Sequence, residues 1–164
     1  MKYILAVNLI TASAILFIAG CHEENEPVES TITGTLTDYS ECTSYKSGSE
    51  ITDGWDTNYC FLYAYNESSK VLNMTHLNAI FNCCPMELYA EIEEIDDTII
   101  IREFEREFLC SCVCQYDLNY AFTGVEKQNY MVKLIVPKDY YATGENPLIF
   151  EMNLEPENEG EYCW

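Results

Sequence analysis

The stretch MELYAEIEEIDDTIIIREFE, residues 86–105, decides the fold. Met86, Leu88, Ala90 and Ile92 alternate with Glu87, Tyr89, Glu91 and Glu93, which is the two-residue period of a strand with one apolar and one polar face. Asp96-Asp97 breaks the pattern with turn-forming residues, and TIIIREFE then resumes an extended run. The rival reading is a helix over EEIDDTIIIREFEREFL. Three consecutive isoleucines argue against it, because β-branched side chains lose rotamer freedom in a helix and suit a pleated surface. Residues 86–105 are therefore predicted as a hairpin.

The same period recurs outward from this hairpin. Tyr116, Leu118, Tyr120 and Phe122 alternate with Asp117, Asn119, Ala121 and Thr123. After the turn GVEKQN, Tyr130, Val132, Leu134 and Val136 alternate until Pro137, which lacks the donor a ladder needs. Weaker strands fit residues 31–39, 59–65, 71–77 and 147–154. Beyond the first twenty residues no convincing 3.6-residue periodicity appears. About eight short strands separated by turn signals predict an all-β, antiparallel β-sandwich. The segment YAFTGVEKQNYMVKLIV, residues 120–136, resembles the E–F corner of immunoglobulin-like domains. That resemblance implies an immunoglobulin-like sandwich in which the Tyr130 hydroxyl ties the corner to backbone. A plain interfacial tyrosine is the other reading of Tyr130.

The chain begins MKYILAVNLITASAILFIAGC. One lysine precedes an apolar run that is long enough for a membrane helix but ends in small residues. Ile18-Ala19-Gly20-Cys21 resembles a bacterial lipobox. The resemblance implies a signal peptide over residues 1–20, cleavage before Cys21, and acylation of Cys21 as the membrane anchor, since several acyl chains hold where one does not. An uncleaved membrane helix is the alternative. HEENEPVES, residues 22–30, is acidic and interrupted by Pro27, so residues 21–30 read as a lipidated cysteine and flexible tether, and 31–164 as one domain. Acidic residues after the lipidated cysteine also resemble the surface-export signals of some Bacteroidota lipoproteins. A bacterial cell-envelope location, at the outer membrane and facing either the periplasm or the surface, is the expectation.

The formal charge is −20, and loss of Lys2 with the signal peptide makes it −21. Such a surface repels phosphate backbones, so no nucleic-acid partner is expected. Nearly half the residues are apolar and thirteen are tyrosine, which supplies a core and excludes disorder. No calcium-loop pattern accompanies the acids, so they read as a solvated surface.

Eight cysteines follow Cys21: Cys42, Cys60, Cys83, Cys84, Cys110, Cys112, Cys114 and Cys163. An even number in an exported chain predicts a disulfide framework. Of the 105 pairings eight cysteines allow, strand geometry removes many. On a strand through CSCVCQYDLNY, residues 110–120, the three cysteines share a face at a spacing of about 6.6 Å and cannot bridge one another. Cys42 and Cys60 bracket one loop and are taken as a pair. Cys83, Cys84 and Cys163 then remain for Cys110, Cys112 and Cys114, in six arrangements, with bridges from the Cys83-Cys84 turn into the strand favoured. A metal site built from His76, Cys83, Cys84 and the triplet is the sharper alternative. It lacks any C-x-x-C knuckle, as does a thioredoxin-like reading.

Catalytic patterns are absent from the sequence: there is no G-x-S-x-G, P-loop or H-E-x-x-H. His76 alternates with Leu72 and Met74, so it is expected to face the core and hydrogen-bond there. THLNAIFNCCP, CSCVCQYDLNY and the Tyr130 corner together are similar to a group of cysteine-rich Bacteroidota lipoproteins with no assigned activity, over residues 58–136. The expectation is a non-catalytic binding or scaffolding lipoprotein without a cofactor. One alternative is a glycan- or peptide-binding surface that uses exposed Tyr63, Tyr65, Tyr140 and Tyr141. The other is a Cys/His metal-binding protein.

Overall fold

The computed structural model describes residues 32–47, 50–51, 55–108, 110–136 and 147–164. Among them all regular structure is strand, in eleven segments: β1 (Thr33–Tyr39), β2 (Ser44–Ser47), β3 (Glu50–Ile51), β4 (Cys60–Asn66), β5 (Val71–Asn82), β6 (Pro85–Ile95), β7 (Thr98–Phe108), β8 (Val113–Thr123), β9 (Asn129–Ile135), β10 (Leu148–Asn153) and β11 (Glu159–Cys163). They form a seven-stranded sheet in the order β11-β4-β5-β8-β2-β3, with β1 also on β8, and a four-stranded sheet in the order β10-β9-β7-β6. The all-β, sandwich-like expectation holds. Every pairing is antiparallel except β7 with β9, which run parallel.

The hairpin forms where the alternation placed it. Ile95 pairs with Thr98 across Asp96-Asp97, and both aspartates have positive φ, 48° and 59°. That backbone matches the twist of the flanking strands, which is why a two-residue loop suffices. Leu88 is buried, Ala90 and Ile92 are half-buried, and Met86, at the open end of the strand, is exposed.

β8 is the spine of the larger sheet. Its far edge takes β1 along Leu118–Thr123 and β2 along Val113–Gln115, so one long strand aligns two short ones. Tyr116, Leu118, Tyr120 and Phe122 are all buried, as are Tyr130, Val132 and Leu134 of β9. The inner faces of the two sheets meet in one core, with Phe61 of β4 and Phe150 of β10 at a ring separation of 5.5 Å.

β5 runs five residues further than its alternation indicates, because the register slips between His76 and Ala79. Asn78 sits there at φ 60°, and its amide donates to Asp117 Oδ1 at 3.0 Å. The bulge switches the inward set from Leu72, Met74 and His76 to Ala79 and Phe81.

Tyr130 does tie its corner to backbone. Its hydroxyl donates to the Glu126 carbonyl at 3.2 Å and accepts from the Glu126 amide at 3.0 Å.

Candidate functional site

The chemistry-bearing side chains gather in two places: a sulfur cluster at one end of the larger sheet and a polar group between the sheets. The sulfur cluster starts from Asn82, the last residue of β5. Its Oδ1 accepts from the Cys84 amide at 2.9 Å, and its Nδ2 donates to the Cys110 carbonyl at 2.6 Å. Its own carbonyl accepts from the Tyr116 hydroxyl at 2.9 Å. One buried asparagine thus joins the β5–β6 corner to the segment that enters β8. Burial, with the nearby charges of Glu105 and Tyr39 adding to it, pushes the Tyr116 phenol up to about 12.

All eight cysteines form disulfides: Cys42–Cys114, Cys60–Cys163, Cys83–Cys112 and Cys84–Cys110. Two bridges do run from the Cys83-Cys84 corner toward the triplet. The proposed Cys42–Cys60 pair is wrong, and so is the assignment of Cys163 to the triplet. Cys60 opens β4 and Cys163 closes β11, and the two residues face each other directly in that antiparallel pair. Cys42 is carried to Cys114 because its segment lies along β8, where the Thr43 amide donates to the Gln115 carbonyl at 3.0 Å. Buried Gln115 completes this attachment by accepting from the Ser44 hydroxyl and the Asp56 amide.

The triplet itself does not lie on one strand, contrary to its every-second-residue spacing. β8 begins only at Val113, and Cys110, Ser111 and Cys112 form a bend instead of strand. The Sγ atoms of Cys110 and Cys112 are therefore 3.6 Å apart, not separated by a strand repeat. The Cys83, Cys110 and Cys112 sulfurs all lie within 4.8 Å of one another. His76 is not among them, which corrects the Cys/His grouping. Bonded in disulfides, these sulfurs have no thiolate to offer an ion.

His76 is buried as expected. Its Nδ1 lies 2.8 Å from Oε1 of Glu103 on β7, and the Tyr120 hydroxyl donates to the same oxygen at 2.7 Å. The His76 ring stacks on Phe61 at 4.7 Å and meets Trp164 at 5.5 Å. Nothing in the sequence singles out Glu103. It stands in the alternating face of a strand, where REFE marks it only as one acid among several. His76, Glu103 and Tyr120 are 0, 2 and 1% exposed, so no substrate atom reaches them in this structure. Chemically the group is a polar tie between two sheets.

Of the tyrosines named for a stacking platform, the two among the described residues are not both exposed. Tyr65 is buried with its hydroxyl on the Val125 carbonyl at 2.9 Å, and Tyr63 is half-buried beside Gly160. Tyr140 and Tyr141, like Cys21, lie outside the described residues. No family model matches this chain, and the comparisons with curated proteins and with solved structures find no relative.

Proposed function

We propose that this chain is a cell-envelope lipoprotein whose immunoglobulin-like, disulfide-stapled sandwich serves as a non-catalytic binding or scaffolding module. One observation carries the reading: every cysteine after Cys21 is spent on a bridge, and the buried His76–Glu103–Tyr120 group is sealed between the sheets. Four disulfides fit an oxidising compartment. The lipobox-like Ile18-Ala19-Gly20-Cys21 supports anchoring at Cys21, and the bonding of Tyr130 to Glu126 supports the immunoglobulin-like corner. Expression in a Gram-negative host with a clickable fatty-acid analogue tests the anchor. The wild-type chain is expected to carry the label and fractionate with the outer membrane, and Cys21→Ser to carry none. An unlabelled wild-type chain recovered in the soluble fraction overturns the reading.

A further inference from the structure

The sulfur cluster at Asn82 differs from the other two bridges. Each of those buries one sulfur-bearing residue deeply, Cys114 at 1% exposure and Cys60 at 8%, so their reduction would release a thiolate into apolar surroundings that disfavour it. Cys42 and Cys163, the other ends of those bridges, are exposed, as is Cys84 in the cluster; what the cluster lacks is a fully buried end, since Cys83, Cys110 and Cys112 are all half-buried. The two cluster bridges also touch, with 3.6 Å between Sγ of Cys110 and Sγ of Cys112. Asn82 Oδ1 stands 3.1 Å from the Cys110 sulfur.

We propose that Cys83–Cys112 and Cys84–Cys110 are an exchange pair: a dithiol reduces Cys84–Cys110 from its exposed Cys84 end, and Cys110 passes the opening inward to Cys112. The external dithiol supplies the electrons. Its first sulfur bonds to Cys84 as the Cys110 thiolate leaves, and its second sulfur then displaces Cys84, so the reagent departs as a disulfide. The Cys110 thiolate attacks Sγ of Cys112; the Cys110–Cys112 bond forms, the Cys83–Cys112 bond breaks, and Cys83 leaves and takes a proton from solvent. The net change oxidises one dithiol by two electrons and leaves adjacent thiols at Cys83 and Cys84. The bend at Ser111 is what permits the new bridge, since an extended chain would hold the two sulfurs a full strand repeat apart.

Limited reduction of the oxidised chain tests it. The protein is treated with one equivalent of dithiothreitol, quenched in acid, alkylated and peptide-mapped with fragmentation that separates Cys83 from Cys84. The expected result is alkylation of Cys83 and Cys84 with an intact Cys110–Cys112 bridge, label on Cys83 exceeding that on Cys110 by about tenfold. Label on Cys84 and Cys110 with Cys83–Cys112 intact overturns the exchange. First label on Cys42, Cys114, Cys60 or Cys163 overturns the cluster as the reactive site. In a Cys83→Ser, Cys112→Ser chain the same treatment should instead label Cys84 and Cys110 equally; unequal label there also counts against the relay.

Discussion

Nδ1 of His76 lies 2.8 Å from Oε1 of Glu103, linking β5 of one sheet to β7 of the other through the core. Removing one partner strands the other in an apolar interior, which is costlier than losing both. His76→Leu is expected to cost about 3 kcal/mol in urea unfolding, since the Glu103 carboxylate would keep only Tyr120. Glu103→Gln retains an acceptor for Tyr120 and should cost less, about 1–2 kcal/mol. The double change to leucine should recover part of the His76→Leu loss in a double-mutant cycle. Strictly additive losses would show that the pair contributes nothing as a pair.

Gly34 is where β1 crosses close to the second sheet. A Cβ there would meet Phe122 Cε1 at 2.6 Å and Ile92 Cγ2 at 2.8 Å, so a methyl group has no room. Both neighbours are packed, one half-buried and one fully, and cannot swing away. Gly34→Ala is expected to lose about 1–3 kcal/mol by overpacking. An unchanged urea midpoint would mean that β1 shifts away without cost.

Much of this fold was legible because its strands alternate cleanly. Tyr116 to Phe122 and Tyr130 to Leu134 announce their buried faces by period alone, and Asp96-Asp97 announces its turn. What escaped has local causes. β11 is an edge strand of sequence EGEYC, whose Gly and acids carry no strand signal, and its existence decides the partner of Cys60. The bulge at Asn78 hides the second half of β5 by shifting its period. The bend at Cys110–Cys112 defeats spacing arguments because three cysteines at every second position look the same in a strand and in a turn that precedes one. The Glu103 partner of His76 is a matter of sheet-to-sheet contact, and nothing near either residue in sequence points to it.

The Tyr116 phenol sits at about 12 against an ordinary 10.0, raised chiefly by burial. The folded chain therefore holds this proton more tightly than the unfolded chain. Its contribution to stability is complete below pH 10 and is lost as pH rises from 10 toward 12. Tyr116→Phe should lower stability by about 1 kcal/mol at neutral pH, by leaving the Asn82 carbonyl without that donor, and should make the alkaline decline shallower. Urea midpoints measured across this range check both effects. An equally steep decline in the variant would place the alkaline sensitivity elsewhere.

The bridge most consequential for stability is Cys60–Cys163, which closes a span of 103 residues and holds an edge strand. Restricting the unfolded chain over about 100 residues corresponds to roughly 4–5 kcal/mol in the loop-entropy account. The same change releases local structure. β11 meets only β4 in its sheet, and the Trp164 amide continues the ladder to the Tyr59 carbonyl at 3.0 Å. Without the bridge the Trp164 ring, now beside Phe61 and His76, can peel from the core. Cys60→Ser with Cys163→Ser is thus expected to lower unfolding free energy by about 4 kcal/mol, to shift tryptophan emission to longer wavelength, and to speed hydrogen exchange at Glu159–Cys163 more than at β9. Unchanged protection across β11 would mean that the ladder to β4 holds the strand without the disulfide. A stability loss with normal emission would then be assigned to the unfolded chain alone.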